Sequence, residues 1–145
     1  MLKLTHDTTI HRRSDAVFAV AVTPESQRTW DPAGPVWVEK LDDQPLGLGS
    51  RYRGRWRRFG RVEWTFIAFD PPREFGHDAK AAGIRMVHRL RFDDEDGGTR
   101  VRQTLDVTPP RLLERLLGPV LRTALRKRLV QLGDELKEYM ERQLE

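Results

Sequence analysis

Hydrophobic and polar residues alternate with a period of two through the middle of the chain. In the segment 51–57, four arginines alternate with two aromatic residues and a glycine, and similar alternation recurs at 84–92 and 100–107. Successive side chains of a β-strand point to opposite faces of its sheet. The pattern therefore predicts an antiparallel sheet that is covered on one face and open to water on the other.

Seven strands are expected from this pattern and from the turn residues that interrupt it. The acidic and glycine-rich segment 94–98 predicts a hairpin turn before the last strand, since Asp-Gly pairs accept the positive φ angles of tight turns. The strands are predicted at residues 2–10, 36–41, 50–58, 60–69, 74–80, 83–93 and 99–107.

Two short helices are predicted between the first and second strands. Ser14 is expected to cap the first helix, with Asp15 in its first turn, where a carboxylate meets the helix dipole favourably. Thr23 is expected to cap the second helix, with Pro24 at its first position. That helix should end before Asp31, because a residue that precedes proline avoids the α region.

A long helix is predicted at the C-terminal end, where apolar residues adopt helical spacing after Pro110. The segment 120–144 should form about 35 Å of helix at about 1.5 Å per residue, enough to cross a whole sheet. Gly118 and Pro119 are expected to kink or break this helix near its start, because proline cannot donate the helical hydrogen bond.

Composition narrows the class of protein. A chain of 145 residues, 38% of them hydrophobic, has the length of one domain, which is predicted to span residues 1–145. Cysteine is absent, which excludes disulfides, thiolate metal sites and cysteine nucleophiles. The longest apolar run, 16–22, is far shorter than the roughly 20 residues of a membrane-spanning helix. We therefore expect a soluble, cytoplasmic protein without a transmembrane segment.

Several local motifs carry a resemblance to a known superfamily. They are SDAVF at 14–18, WDP at 30–32, GLGS at 47–50, FDPPR at 69–73 and GGTRV at 97–101. Their order, together with one strand, two short helices, six strands and a long helix, resembles the START-like or SRPBCC superfamily in its polyketide cyclase/dehydratase-like branch. The resemblance implies an α+β helix-grip (START/Bet v 1-like) fold, in which a curved antiparallel sheet of six to seven strands wraps around a long C-terminal helix.

The same resemblance implies a hydrophobic cavity between the sheet and the long helix. Members of the superfamily use such a cavity for lipids, polyketides or plant hormones, or present a partner surface instead. The alternative is that the same large side chains fill a solid core, since aromatic residues pack as well as they bind ligands. The candidate lining residues are Tyr52, Trp56, Trp64, Phe66, Met86, His88, Gln103, Leu105, Leu121 and Leu125, with Trp30 near an entrance.

His88 is the most distinctive polar candidate, because it lies between Met86 and Leu90 on the predicted inner face. It could act as a general acid or base, or hydrogen-bond a ligand carbonyl. The alternative is a neutral core histidine whose polar atoms are satisfied by a neighbour. Gln103 is a plausible companion in either case, and Glu63 could point to either face of the sheet.

No metal or cofactor is expected. The four histidines form neither an HExxH motif nor any close pair along the chain. The acidic run 93–96 lacks the spacing of a calcium loop, and it is expected to form a solvated hairpin turn. Gly47 and Gly49 lack the third glycine of a dinucleotide-binding loop.

The segment 51–61 mixes arginine with aromatic residues, as proteins that bind single-stranded nucleic acids do. Strict alternation, however, places the aromatic rings inside and the arginines outside. We therefore expect a solvated basic face with Glu63 and Asp106 as partners, and only weak, salt-sensitive binding to nucleic acid. Neighbouring strands should extend this face through Arg85, Arg89, Arg91, Arg100 and Arg102.

Three functions remain open from the sequence. The first is a binding module that holds a lipophilic small molecule or lipid between sheet and helix. The second is an enzyme, a polyketide aromatase/cyclase or dehydratase that uses His88 in the same cavity. The third is an interaction protein that uses the arginine-rich face on RNA, an acidic membrane or an acidic partner. The sequence leaves the oligomeric state open, and a homodimer is compatible with it.

Overall fold

Seven antiparallel strands form one curved sheet in the computed structural model, which describes residues 1–142. They are β1 (Leu2–Ile10), β2 (Pro35–Lys40), β3 (Arg51–Trp56), β4 (Gly60–Asp70), β5 (Glu74–Ala81), β6 (Ile84–Glu95) and β7 (Gly98–Thr108). Their order across the sheet is β1-β7-β6-β5-β4-β3-β2. Each predicted strand is present, and its ends lie within two residues of the prediction.

Two tight turns set the register of the central strands. Asp96 and Gly97 join β6 to β7 with φ angles of 44° and 80°, and Ala82 and Gly83 join β5 to β6 with 51° and 79°. Positive φ angles at both positions of a two-residue turn match the twist of the flanking strands. The hairpin predicted at 94–98 is therefore confirmed.

Irregular pairing helps to bend the sheet. The register between β4 and β5 shifts between Phe66 and Ala68, and that between β2 and β3 shifts between Pro35 and Trp37. An extra residue in one strand increases the local twist and bends that strand. The bent sheet has a concave face, and the long helix lies against this face.

Three α-helices complete the described part of the chain. They are α1 (Ser14–Val22), α2 (Gln27–Trp30) and α3 (Arg111–Arg142), and a 3-10 turn (Pro24–Ser26) directly precedes α2. Helix α2 ends before Asp31, as predicted. Within residues 1–142, no helix is long and apolar enough to span a membrane. This arrangement confirms the α+β helix-grip fold that the resemblance implied.

The two predicted helix caps are not formed by side chains. Ser14 is the first helical residue of α1, and its hydroxyl donates to the carboxylate of Asp94 and lies 3.2 Å from Thr99 Oγ1. The ionised acceptor on the β6–β7 hairpin is stronger than a neutral backbone group would be. The hydroxyl of Thr23 donates to the carbonyl of Ala19 at 2.9 Å and likewise does not cap the turn that follows it.

Helix α3 runs without a break from Arg111 to Arg142, so of the predicted kink or break at Gly118 and Pro119 the break is wrong. Pro119 removes the hydrogen bond that would reach the carbonyl of Arg115. This part of the helix is exposed, so water can satisfy that carbonyl at little cost. The predicted helix end at Leu144 lies outside the described residues.

Two apolar clusters pack between the helices and the sheet. Phe18 of α1 is at the centre of the larger cluster, where its ring meets three others edge-on: Phe69 at 6.1 Å, Phe75 at 5.7 Å and Phe92 at 5.4 Å between centroids. These contacts hold α1 against the sheet. The smaller cluster contains Leu2, Leu4, Leu105, Val107, Leu125 and Leu129.

Helix α3 approaches β1 closely at Gly133. A Cβ atom at this position would lie 2.3 Å from Thr8 Oγ1 and 3.3 Å from Gln103 Nε2. Glycine is therefore the residue that lets the helix backbone sit this near the sheet. The close approach brings the carbonyl of Leu129, one turn earlier on α3, within reach of the sheet.

Candidate functional site

An apolar cavity of about 160 Å³ lies between the concave face of the sheet and the helices. Residues from strands β3 to β7 and from all three α-helices contribute to its wall. Most of the residues that the sequence predicts for this wall do line it. They are Trp30, Trp56, Trp64, Phe66, Met86, His88, Leu105 and Leu125.

Tyr52, Gln103 and Leu121 are also predicted for the lining, but none of them reaches the cavity. Tyr52 is buried against Trp64, on which its ring stacks with centroids 5.5 Å apart. This burial raises the pKa of the Tyr52 phenol well above its usual value. Leu121 packs against the smaller apolar cluster. These side chains point inward, as predicted, but they fill core beside the cavity.

Three polar lining residues are absent from the predicted set: His77 of β5, Gln27 of α2 and Arg128 of α3. A signal for His77 is present in the sequence, because Phe75, His77 and Ala79 follow one another with a period of two. All three of these β5 residues line the cavity. The positions of Gln27 and Arg128 depend on how the helices dock, which local patterns do not specify.

Two tryptophan rings form one wall of the cavity. Trp56 and Trp64 meet edge-on with centroids 5.3 Å apart. Gly54 makes room for them, since a Cβ atom there would lie 3.0 Å from the ring of Trp56 and 3.2 Å from that of Trp64. The resulting wall is apolar, and its two rings are inclined to each other by 79°.

His77 and His88 are register partners on β5 and β6. Their ring centroids are 5.7 Å apart, the rings are inclined by 64°, and both rings line the cavity. The pairing follows from the turn at Ala82 and Gly83, because the two histidines are equally distant from it. Within residues 1–142, no third His, Asp or Glu joins them in a group that could hold a metal ion.

Gln103 of β7 fixes the tautomer of His88. Its amide nitrogen donates to the carbonyl of Leu129 at 2.9 Å, so its amide oxygen is the atom that lies 3.0 Å from His88 Nε2. A neutral imidazole pairs with an amide oxygen by donating, and the proton therefore resides on Nε2. The other ring nitrogen of His88, Nδ1, is left as a bare acceptor.

Burial keeps both imidazoles neutral at physiological pH. It lowers the pKa of His77 to about 3, and repulsion from His88, which is protonated at such acidic pH, contributes to this shift. Burial also lowers the pKa of His88 to about 4; the Arg128 charge adds to this effect and the hydrogen bond with Gln103 opposes it. Neutral rings can accept a hydrogen bond or a proton, which charged rings cannot do.

Two polar atoms of lining residues are buried and have no hydrogen-bond partner among the described residues. They are Nδ1 of His77 and the indole Nε1 of Trp30. A buried polar group that is left unpaired costs about 1–3 kcal/mol. Neither atom has surface that a molecule in the cavity would touch, so His88 Nδ1 is the unpaired polar atom that a ligand group can reach.

The cavity and a surface groove share two lining residues, Phe59 and Arg128. We call the place where these two residues lie the mouth. The guanidinium of Arg128 donates to both carboxylate oxygens of Asp31, with 3.0 Å between Nη1 and Oδ1, and Gln27 Nε2 donates to Oδ2 at 2.8 Å. The side chain of Asp31 is fully buried. This ion pair ties the end of α2 to α3 at the mouth.

The outer face of the sheet is an exposed layer of arginines, as predicted. Glu63 and Asp106, the predicted partners, form no ion pair with any residue from 1 to 142. Glu63 lies opposite Arg53, but Arg53 pairs with Glu39 on its other neighbouring strand at 2.7 Å. The ion pairs of this face are Arg53–Glu39, Arg85–Asp78, Arg89–Glu74, Arg91–Asp93, Arg100–Glu95 and Arg102–Asp7.

Comparison with known proteins agrees with this architecture. The sequence model of a family described as "Polyketide cyclase / dehydrase and lipid transport" matches residues 1–141. No curated protein sequence matches the chain.

Solved structures share the fold at low sequence identity. A point mutant of norcoclaurine synthase from Thalictrum flavum, in complex with a transition state analogue, has a TM-score of 0.74 at 11% identity, over 99% of this chain and 96% of that one. The same enzyme in complex with dopamine and hydroxybenzaldehyde gives 0.70 at 11%, over 95% and 85%. A protein of Thermus thermophilus gives 0.77 at 17%, over 94% and 95%. Identities this low establish the fold alone.

Proposed function

The chain belongs to the polyketide cyclase/dehydrase and lipid transport family of the START-like superfamily, and on this premise we propose that its cavity binds a small, neutral aromatic molecule that carries a hydroxyl group. The observation that carries the proposal is the bare Nδ1 acceptor of His88 in a largely apolar wall. An acceptor in such a place favours a ligand that brings a hydrogen-bond donor.

The polar atoms of the wall indicate which kind of hydrogen-bond donor the ligand carries. His77 and His88 are neutral, so neither offers a charge to neutralise an anionic ligand. A hydroxyl can donate to an imidazole nitrogen such as Nδ1 of His88. The rest of the ligand is expected to be apolar, because tryptophan, phenylalanine and leucine side chains supply most of the lining.

The size of the cavity favours one aromatic ring. Its volume is about 160 Å³. An engineered apolar cavity of about 150 Å³ binds benzene, whereas sites for drug-sized ligands occupy about 300–1,000 Å³. A phenol-sized molecule is therefore a better match than a membrane lipid or a polyketide of several rings.

A protein of the same fold is known to bind such ligands, although its sequence identity to this chain is low. Norcoclaurine synthase of this fold is known in complex with dopamine and hydroxybenzaldehyde, which are both small phenols. At 11% identity this likeness concerns the scaffold. The phenol class for the present chain is supported by the volume and polar atoms of its own cavity.

A second candidate function is catalysis, by a cyclase or dehydratase that uses the same cavity. It is favoured by one observation, that Nδ1 of neutral His88 is free to take a proton from a bound substrate. The ring-sized volume and the small number of polar groups in the wall place this candidate second. Loss of turnover in His88→Gln with retained binding of the same substrate would support it.

The proposal can be tested by calorimetric titration of the protein with phenol. We expect one molecule bound per chain. Replacing Met86, which lines the cavity, by Trp should abolish this binding by filling the space. The matched control is Leu121→Trp, which adds the same ring at a position outside the lining and should leave binding intact. Phenol binding that is unchanged in Met86→Trp would refute the proposed site.

A further inference from the structure

The first half of α3 presents an apolar surface that the cavity does not use. Its first buried residue is Gly118, and the next one is Leu125. Four residues of this half form what we call the apolar strip. They are Leu112, Leu116, Leu117 and Val120, whose exposed fractions are 68%, 70%, 47% and 65%.

Helical spacing places the apolar strip on one side of α3. Leu112, Leu116 and Val120 follow each other at intervals of four residues, and Leu117 is adjacent to this line. Single exposed leucines need no explanation on a protein surface, but a contiguous group of large apolar side chains indicates an interaction site.

The apolar strip has a strongly basic flank. Six basic residues lie between positions 111 and 128, against the single acid Glu114, whereas the whole chain has a formal net charge of only +4. Glu114 pairs with the N-terminal amine, and Arg128 pairs with Asp31. The other five basic residues form no ion pair with any residue from 1 to 142; they are Arg111, Arg115, Arg122, Arg126 and Lys127.

We propose that the apolar strip and its basic flank dock the protein on the surface of an anionic lipid bilayer. Exposed leucines beside lysine and arginine are the combination by which an interfacial helix buries its apolar side chains among acyl chains and neutralises acidic headgroups. A second copy of the chain fits this surface poorly, because a two-fold contact would bring the same unpaired positive charges together.

Docking in this way would place the mouth of the cavity at the bilayer. The groove that shares Phe59 and Arg128 with the cavity runs along α3 and is lined by Arg58, Phe59, Val120, Ala124 and Lys127, among others. Val120 of the apolar strip thus belongs to the same groove as Phe59 of the mouth. A ligand that dissolves in the bilayer could then enter the cavity without crossing water. The membrane contact itself does not depend on the identity of that ligand.

Vesicle flotation tests the proposal. The full chain should float with vesicles of equal parts phosphatidylcholine and phosphatidylglycerol, and it should remain unbound with phosphatidylcholine alone. The double substitution Leu116→Ser and Val120→Ser should lower vesicle affinity by about tenfold or more through lost apolar burial. Arg122→Gln with Arg126→Gln should also lower it about tenfold.

Matched controls come from exposed residues elsewhere. Leu48→Ser removes an equally exposed leucine from a loop, and Arg55→Gln with Arg57→Gln removes two exposed arginines from the sheet and the turn that follows it. Both controls should bind vesicles as the parent chain does. If the arginine variant of α3 loses vesicle binding and the serine variant binds fully, charge attraction alone explains the binding. That outcome would overturn the proposal.

A site-specific probe gives a second, independent readout. The chain has no cysteine, so Val120→Cys can be labelled with a polarity-sensitive fluorophore at one position. Its emission should shift to the blue with anionic vesicles, whereas a label at Leu48→Cys should not respond. A blue shift that grows with protein concentration in the absence of vesicles, together with dimers in sedimentation velocity, would assign the surface to a second copy and refute bilayer docking.

Discussion

The imidazole rings of His77 and His88 face one another across β5 and β6, with centroids 5.7 Å apart, in the wall of an apolar cavity. Two rings at this distance in an apolar environment are tolerated as neutral groups, since protonating both would place two like charges together away from water. Gln103 orders one of them by accepting a hydrogen bond from His88 Nε2. The site is thereby prepared to accept a hydrogen bond at His88 Nδ1.

The substitution His88→Gln separates ligand binding from packing. Its amide nitrogen can take the place of Nε2 and donate to Gln103, but no atom replaces the acceptor Nδ1. We expect phenol affinity to fall about fivefold to tenfold, the effect of one lost hydrogen bond, while toluene affinity stays unchanged. Calorimetric titration of both ligands measures this difference.

The control for this substitution is His88→Asn. Its side-chain oxygen lies near the former Nδ1 position, but the shorter side chain cannot reach Gln103. It should keep phenol binding and lose thermal stability. Equal losses for phenol and toluene in His88→Gln would show that the histidine only packs, and would remove it from the site.

Stability should depend on pH through the two histidines. Their pKa values are lowered from 6.5 to about 3 and about 4, so between these values and 6.5 the unfolded chain binds protons that the folded chain does not. The free energy of unfolding should therefore be highest above pH 6.5 and fall as the pH drops toward 4, by up to about 1.4 kcal/mol per pH unit for each ring. Urea unfolding at a series of pH values measures the slope.

A variant without one ring provides the control for this pH dependence. His77→Phe should remove that ring's share of the slope between pH 6.5 and 5. Ion-paired carboxylates such as Asp78, whose pKa the hydrogen bond from Arg85 lowers, lose their contribution only at more acidic pH. A slope that is identical in the parent chain and His77→Phe would contradict the assignment.

Much of the fold was predictable from local signals, because alternation defines the strands and turn residues define their ends. The aromatic wall was predictable for the same reason, since Trp56, Trp64 and Phe66 alternate with exposed residues. Alternation shows only that a side chain points inward. It does not distinguish Trp64, which lines the cavity, from Tyr52, which is buried beside it.

The polar part of the site depends on register and helix docking. His77 and His88 become neighbours through the turn at Ala82 and Gly83. The sequence does not indicate this turn, because alanine rarely adopts the positive φ angle that Ala82 has. Asp31 and Arg128 are 97 residues apart in the chain, and they meet because α2 docks on α3. No periodicity within a single element encodes either contact.

The close approach of α3 to β1 at Gly133 predicts how substitutions there change the free energy of unfolding. Gly133→Ala would place a methyl group 2.3 Å from Thr8 Oγ1, so the helix or the threonine must move, and we expect a loss of about 1–3 kcal/mol in unfolding free energy. Thr8→Ala alone should cost little, because its buried hydroxyl has no partner among the described residues. The double variant should recover most of the loss. Additive effects in this cycle would show that the two positions do not touch.

The ion pair between Asp31 and Arg128 is expected to control both stability and access to the cavity. Asp31→Asn leaves the guanidinium without its carboxylate partner, and the Arg128 side chain is only 18% exposed. Removing one partner of a buried pair costs about 3–5 kcal/mol. Because Arg128 is partly accessible to water, we expect the lower part of this range or slightly less.

The matched control for this change is on α3, the helix that carries Arg128. Glu138→Gln also converts an ion-paired acid to its amide, but the pair with Arg142 is exposed and spans 3.8 Å, so stability should change by less than about 0.5 kcal/mol. The two variants also differ in what the pair holds together. Asp31 joins the end of α2 to α3, whereas Glu138 and Arg142 both belong to α3.

Ligand exchange should report this difference. If the Asp31–Arg128 pair holds the mouth narrow, its loss should raise both the association and the dissociation rate of phenol, measured by stopped-flow tryptophan fluorescence. The affinity should change less than either rate, because the acceptor Nδ1 of His88 is untouched. Glu138→Gln should leave both rates unchanged. Rates that are equal in the parent chain and Asp31→Asn, despite the expected loss of stability, would show that ligands enter elsewhere.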